Sequence, residues 1–182
     1  MECVAGLDPS LTSFGVAVIA SEGRVVTDVV GSRHRGLEVR QRIARYEEIV
    51  GRVMGILDIW KPGAVALEHY AFRALLTGDD AMQRGHIDRI ELGGLLRSDL
   101  CACVYVKQLY EVAPATVKKF VYRGNAGKED VRRAVELQWD LRFGTHDETD
   151  AYVLARLAGV ASGMLVAEND QQRECCRVVR GK

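Results

Sequence analysis

Residues 2–20, ECVAGLDPSLTSFGVAVIA, contain two strand-like apolar runs separated by a polar turn. Residues 2–7 are mostly apolar and run into Asp8-Pro9, which predicts a buried strand that stops in a turn. Phe14 to Ala20 predicts a second strand. Arg24 to Val30 predicts a third strand, joined to the second by the tight connection Ser21-Glu22-Gly23. The chain therefore opens as an antiparallel meander.

Beyond the meander, helices alternate with short strands. Apolar residues recur at steps of three and four from Leu37 to Leu57, which predicts one long amphipathic helix. Ala64 to Leu67 predicts a short buried strand with Glu68 at its carboxyl end, whereas residues 73–85 have no firm pattern and are interpreted as a loop. The later predicted elements are a helix from Ile87 to Cys101, a strand from Leu109 to Val112, and helices from Pro114 to Val121, Lys128 to Leu137 and Thr149 to Val160.

This order of elements predicts an α/β fold, a mixed sheet with helices on its faces. One domain accounts for residues 1–162. Residues 163–182 are polar, lack a clear period and are interpreted as a C-terminal tail.

The composition limits the possible classes of function. Among 182 residues, 25 Lys and Arg balance 25 Asp and Glu, so any nucleic-acid surface must arise from local segregation of charge. No apolar run approaches the ~18–20 residues that span a membrane, and no signal peptide is expected. The five cysteines are odd in number and lack the spacing of a zinc site, so we expect reduced thiols in a cytoplasmic protein.

Four acidic residues stand where predicted elements end or begin. Asp8 and Glu68 close two strands, and Asp147 and Asp150 share a face because they are three residues apart near the start of a helix. Such a cluster repels itself without cations, and its hard oxygens suit Mg²⁺ or Mn²⁺ rather than zinc. Two ions about 3.5–4 Å apart would clamp the attacking water and the leaving oxygen of a phosphodiester.

Each acid taken alone also has a plainer interpretation. Asp8 before a proline suits ordinary turn chemistry. Asp147 and Asp150 suit helix capping and the helix dipole. Glu68 is harder to explain in this way, because acidic residues are depleted in strands.

A basic stretch separates Glu68 from the acidic pair. The segment from Lys107 to Arg133 contains seven Lys or Arg and three Asp or Glu, and phosphate binding would use this excess of positive charge. The alternative is a solvated basic helix face.

His146 is a candidate auxiliary residue beside Asp147, or a helix-start histidine without a role. The candidate DNA contacts are Lys107, Lys118, Lys119, Arg123, Lys128, Tyr70 and Phe72, of which the two aromatic residues would stack on bases or lie in the core.

Taken in order, these motifs resemble those of the RuvC-type Holliday junction resolvases, in the RNase H-like or retroviral-integrase superfamily. The matching residues run from about 2 to 160. They are Gly6 to Ser10 with Phe14 to Ala17, then Val65 to Glu68, then Ala113 to Lys119 with Gly124 to Lys128, and finally Asp147 to Ala151.

The resemblance implies a five-stranded mixed sheet and a homodimer that cleaves four-way DNA junctions in recombination and repair. It implies products with 5′-phosphate and 3′-hydroxyl ends. Asp8, Glu68, Asp147 and Asp150 carry over as the catalytic ligands of two Mg²⁺ ions, for which Mn²⁺ would substitute. Lys118 and Lys128 carry over as phosphate contacts, and either Tyr70 or Phe72 as the aromatic at the junction centre. In motif style the chain is closer to divergent phage-type members, which places it in the cytoplasm of a bacterial or phage-infected cell.

Three alternatives remain open. One is a broader nuclease for flaps, forks and three-way junctions. Another is an actin-like or sugar-kinase-type phosphotransferase, with Asp8 to Ser13 as its phosphate loop, although such proteins need two lobes. The third is a non-catalytic DNA-binding protein of the same fold.

Overall fold

The computed structural model of the chain describes residues 2–69 and 80–181. Five strands and six helices lie in these ranges. The strands are β1 (Cys3–Asp8), β2 (Phe14–Ala20), β3 (Val25–Val30), β4 (Ala64–Glu68) and β5 (Gln108–Val112). The helices are α1 (Val39–Trp60), α2 (Asp80–Ala102), α3 (Pro114–Val121), α4 (Lys128–Trp139), α5 (His146–Ser162) and α6 (Asp170–Val179).

The five strands form one mixed sheet in the order β3-β2-β1-β4-β5. The predicted meander β1-β2-β3 is antiparallel. β4 adds beside β1 in parallel, and β5 adds beside β4 in parallel. The carboxyl ends of β1, β4 and β5 therefore meet at the same edge of the sheet.

Helices cover both faces of the sheet, because successive strand residues point to opposite sides. In β1, Val4 belongs to the core cluster that contains residues of α3, α4, α5 and α6, whereas Ala5 and Leu7 belong to the cluster that contains residues of α1 and α2. α5 is the central helix, and most of its residues are buried against β1, β2 and β4. The predicted α/β fold, a five-stranded mixed sheet between helical layers, is confirmed.

Two segments differ from the sequence-based expectation. The predicted loop 73–85 lies partly outside the described residues, but its last residues belong to α2, which begins at Asp80. The first turns of α2 carry no apolar stripe, so periodicity could not reveal them.

The segment that was interpreted as a polar tail contains α6. Gln172, Cys175 and Cys176 are buried there against the core, and Gln171 donates from Nε2 to the carbonyl oxygens of Lys119 and Tyr122 at the end of α3. Three buried residues in one short polar helix give too weak a pattern to predict. Whether 163–182 is best separated from 1–162 as a domain boundary stays a prediction.

No helix in the described ranges is long and apolar enough to cross a membrane.

Candidate active site

Asp8 and Glu68 lie side by side at the carboxyl edge of the sheet. Asp8 is the last residue of β1 and Glu68 the last residue of β4. The two strands are parallel and in register up to Leu7 and Leu67, so the next residue of each strand falls at the same level. Strand pairing alone therefore brings these two carboxylates together.

The start of α5 brings the other two acids to the same edge. Asp147 and Asp150 lie in the first turns of this helix, which begins at His146 after the N-cap residue Thr145. The Thr145 side chain accepts a hydrogen bond from the backbone N–H of Glu148, and the Glu148 side chain accepts one from the backbone N–H of Thr145. This capping box fixes where the helix begins and hence where its acids stand.

Two glycines let α5 lie directly on the strands. A Cβ atom at Gly6 would come within 2.1 Å of the Ala151 carbonyl oxygen, and one at Gly15 within 2.2 Å of the Asp147 carbonyl oxygen. Gly15 is the residue paired with Asp8 across β1 and β2. Glycine at this position therefore sets how closely the acidic end of α5 approaches Asp8.

A side-chain contact also holds the start of α5 to the edge of the sheet. The Thr27 hydroxyl of β3 donates to Glu148 Oε1 over 2.9 Å. Glu148 stands between Asp147 and Asp150, yet its carboxylate is used by Thr27 and Thr145. Its role is to position the helix, which leaves Asp147 and Asp150 for the pocket.

All four predicted acids line one cavity of about 270 Å³. Its walls also carry three cations, Lys118 of α3, Lys128 of α4 and Arg89 of α2. The lining of the pocket thus combines four acids with three cations.

Burial and mutual repulsion disfavour ionisation of the acids. Burial raises the pKa of Asp8 well above its usual range, and the charges of Glu68, Asp150 and Asp147 raise it further. Burial, followed by the Asp150 charge, raises the pKa of Glu68 to about 7. Burial also raises the pKa of Asp150, which Lys128 opposes. The cluster therefore favours any cation that can enter it.

The donor set fits a hard divalent cation. Carboxylate oxygens are the ligands that Mg²⁺ and Mn²⁺ prefer, and the self-repulsion of this cluster is what such an ion would relieve. Over the described ranges, however, no three His, Cys, Asp or Glu side chains already stand in the arrangement of a metal site. The four acids line one pocket, but their carboxylates are not already arranged as the ligands of a metal ion.

The predicted DNA-contact residues lie at different places relative to the acidic pocket. Lys118 and Lys128 line the pocket. Lys119 and Arg123 are exposed outside it, and Arg123 lies over the Tyr122 ring at 5.1 Å. Lys107 precedes β5 and its backbone N–H donates to the Gly63 carbonyl oxygen, so it stands at the opposite edge of the sheet. The predicted aromatic contacts Tyr70 and Phe72 lie outside the described residues.

His146 lies beside the acids but turns toward α4. Its Nε2 is 3.1 Å from Glu129 Oε1, and His146 does not line the cavity. Its role as an auxiliary residue stays a prediction.

Arg89 is the pocket residue that the sequence did not suggest. It lies three residues before Leu92 and seven before Leu96, which are both fully buried, so it continues their stripe along α2. The signal in the sequence was a positively charged residue that continues the buried apolar stripe of a helix.

Comparison of the amino-acid sequence with known proteins identifies a similar protein with a named activity. No protein-family model matches the chain. The chain is 24% identical over 156 residues to the crossover junction endodeoxyribonuclease RuvC of Alkaliphilus metalliredigens, which covers 84% of this chain and 88% of that protein.

Solved structures show the fold. T. thermophilus RuvC in complex with a Holliday junction substrate superposes with a TM-score of 0.61 at 23% identity, covering 84% of this chain and 90% of that one. The yeast mitochondrial Holliday junction resolvase Ydc2 superposes with a TM-score of 0.58 at 12% identity, covering 98% of this chain and 81% of that one.

The fold and the site together define an α/β protein with a five-stranded mixed sheet and an acidic pocket at the carboxyl edge of that sheet. Within that class, the resemblance to the RuvC-type Holliday junction resolvases is confirmed.

Proposed function

We propose that this protein is a structure-selective endonuclease that resolves four-way DNA junctions by hydrolysing phosphodiester bonds. The observation that carries the proposal is the meeting of Asp8, Glu68, Asp147 and Asp150 in one pocket rimmed by cations. The similarity to proteins named as RuvC and as Holliday junction resolvases supports the substrate.

Two Mg²⁺ ions, or Mn²⁺ in their place, are the proposed cofactors. Asp8, Glu68, Asp147 and Asp150 would hold the ions through their carboxylate oxygens. When bound, the ions would supply charge stabilisation and activate water for attack on phosphorus. The raised pKa values of Asp8, Glu68 and Asp150 support this assignment, because a cation would return these groups to their ionised form.

The lysines of the pocket would bind and orient the strand that is cut. Lys118 and Lys128 lie close enough to the acids to lower the pKa of Glu68 by their charge, so a phosphate that they hold would sit over the carboxylates. Attack of water on this phosphate would break the bond to the 3′ oxygen and leave 5′-phosphate and 3′-hydroxyl ends. Lys119 of α3 and Arg123, two residues after α3, are exposed and would contact phosphates further along the DNA.

A homodimer would match the substrate, because a two-fold assembly presents two identical pockets to the two symmetric strands of a junction. Exposed apolar side chains two turns apart on α2, Ile87 and Leu95, are 46% and 40% exposed and would form part of such an interface. Sedimentation of the purified protein at micromolar concentration should give twice the mass of the chain, and a strictly monomeric protein would contradict this assignment.

The cytoplasm is the proposed location. All five cysteines are unpaired, and Cys175 and Cys176 are adjacent, buried thiols, which suits a reducing compartment.

The test is to offer end-labelled four-way, three-way, flap and linear DNA to the protein with Mg²⁺ and to map the cuts. We expect paired, symmetric nicks in the four-way junction and little cutting of linear DNA. Equal cutting of flaps and three-way junctions would favour the broader branched-DNA nuclease. Junction binding without any nick would favour a non-catalytic DNA-binding protein, and nucleotide binding at micromolar levels would favour the kinase-type alternative.

A further inference from the structure

Arg89 forms part of the wall of the acidic pocket on the side of α2. It lines the same cavity as Asp8 and Glu68. Lys118 and Lys128 reach this cavity from α3 and α4, which cover the other face of the sheet. The pocket therefore has cations from both helical layers, with the acids between them.

The orientation of Arg89 is fixed by the contacts of its neighbours on α2. The Tyr46 hydroxyl of α1 lies 2.7 Å from Asp88 Oδ1 and 2.9 Å from Glu91 Oε2. Arg42 adds an ion pair with Asp88 at 3.0 Å, and Leu92 is fully buried. These contacts hold α2 against α1 and the core, so the helix cannot turn Arg89 away from the pocket without losing them.

The Arg89 guanidinium is available to a ligand. It is exposed and forms no ion pair with any side chain in the described ranges. Its charge nevertheless reaches the acids, because it lowers the pKa of Glu68 together with Lys118 and Lys128. It is more than a counter-ion for the carboxylates, since two lysines already line the same pocket and its donors contact no side chain among the described residues.

We infer that Arg89 binds a phosphate of the DNA strand in the pocket, opposite Lys118 and Lys128, so that the strand is held from both helical layers. This inference rests on the proposed function. A planar guanidinium can donate two parallel hydrogen bonds to one phosphate, which fixes the direction of the strand as well as its distance from the acids.

The test is the salt dependence of binding, measured with a labelled four-way junction in EDTA so that no cutting occurs. Removing one phosphate contact makes the plot of log K against log salt shallower by about 0.9. For Arg89→Gln we expect that change in slope, with roughly tenfold weaker binding at low salt. Arg89→Lys should restore the slope but not the full affinity, because lysine keeps the charge and loses the paired hydrogen bonds.

Arg177→Gln is the matched control. Arg177 is an exposed arginine of α6 that pairs, among the described residues, with Glu174 alone, at 2.9 Å, and it does not line the pocket. Its loss should leave both slope and affinity unchanged. Thermal unfolding of each variant shows whether the fold is intact.

The outcomes separate this inference from the proposed function. An unchanged slope for Arg89→Gln overturns the phosphate contact, and a lowered melting temperature with that unchanged slope would make Arg89 a structural counter-ion. A wild-type protein that binds the junction but never cuts it overturns the proposed nuclease while the slopes still report on Arg89. A wild-type protein that binds no DNA overturns both.

Discussion

Replacing Gly15 by alanine tests how the acidic pocket is assembled. The added Cβ would lie 2.2 Å from the Asp147 carbonyl oxygen, 2.7 Å from its carbonyl carbon and 3.2 Å from the Ala151 Cβ. Ordinary contacts of a Cβ begin at 3.4 Å. Two of the three atoms are backbone, so no side chain can rotate to relieve the overlap. The start of α5 must move away from β2.

The size of the effect follows from that overlap. Restoring an ordinary contact moves Asp147 and its neighbours by about 1 Å, and misplacement on that scale can lower a catalytic rate about 100-fold. Overpacking of this kind costs about 1–3 kcal/mol of unfolding free energy. We therefore expect Gly15→Ala to be folded, less stable and about 100-fold slower in cutting.

The assay is single-turnover cutting of a labelled four-way junction with Mg²⁺, well below the melting temperature, with chemical denaturation alongside. Gly55→Ala is the matched control, because an added Cβ at this exposed position of α1 meets nothing within 4 Å. That variant should cut normally and gain about 0.5–1 kcal/mol from the lower entropy of its unfolded chain. Wild-type cutting and stability in Gly15→Ala would refute the close approach of α5 as the basis of the site.

Two further predictions concern the charges of the pocket. Because the pKa of Glu68 is about 7 rather than 4.5, the folded protein holds this proton more tightly than the unfolded chain, and the metal-free protein loses stability as pH rises between these values. Glu68→Gln should therefore raise the unfolding free energy in EDTA at pH 8 by roughly 2 kcal/mol, allowing for partial solvent screening. The exposed control Glu47→Gln should leave the unfolding free energy unchanged. No gain in Glu68→Gln would contradict the cost of burying a charged Glu68 beside Asp150. Lys128→Gln should make the salt dependence of junction binding shallower by about 0.9, and an unchanged slope would exclude Lys128 as a phosphate contact.

The acids at the carboxyl edge of the sheet could be predicted because neighbouring residues in the sequence show where each strand ends. Asp8 follows a buried run and precedes a proline, and Glu68 follows another buried run, so both positions could be assigned before the strands were paired. The spacing of Asp147 and Asp150 predicted a shared helix face. Their meeting in one pocket depends on the strand order β2-β1-β4, which was not predicted from the sequence.

The remaining features depend on contacts between distant parts of the chain. Gly6 and Gly15 look like ordinary strand residues, and only the backbone of α5 reveals why a side chain is excluded there. Lys107 belongs to the predicted basic stretch, but β5 separates it from the pocket edge by about 15 Å of extended chain. Arg89 is distant in sequence from that stretch and reaches the same pocket from the other helical layer.

Cutting of a four-way junction by Asp8→Asn shows whether the acidic pocket is the active site. Asn keeps the size of Asp8 but removes the charge at the centre of the four-acid cluster, where Glu68, Asp150 and Asp147 all act on it. With Mg²⁺, the wild type should nick the junction symmetrically, and Asp8→Asn should bind it with similar affinity and leave it uncut. Cutting by Asp8→Asn at the wild-type rate would contradict the assignment of this pocket as the active site.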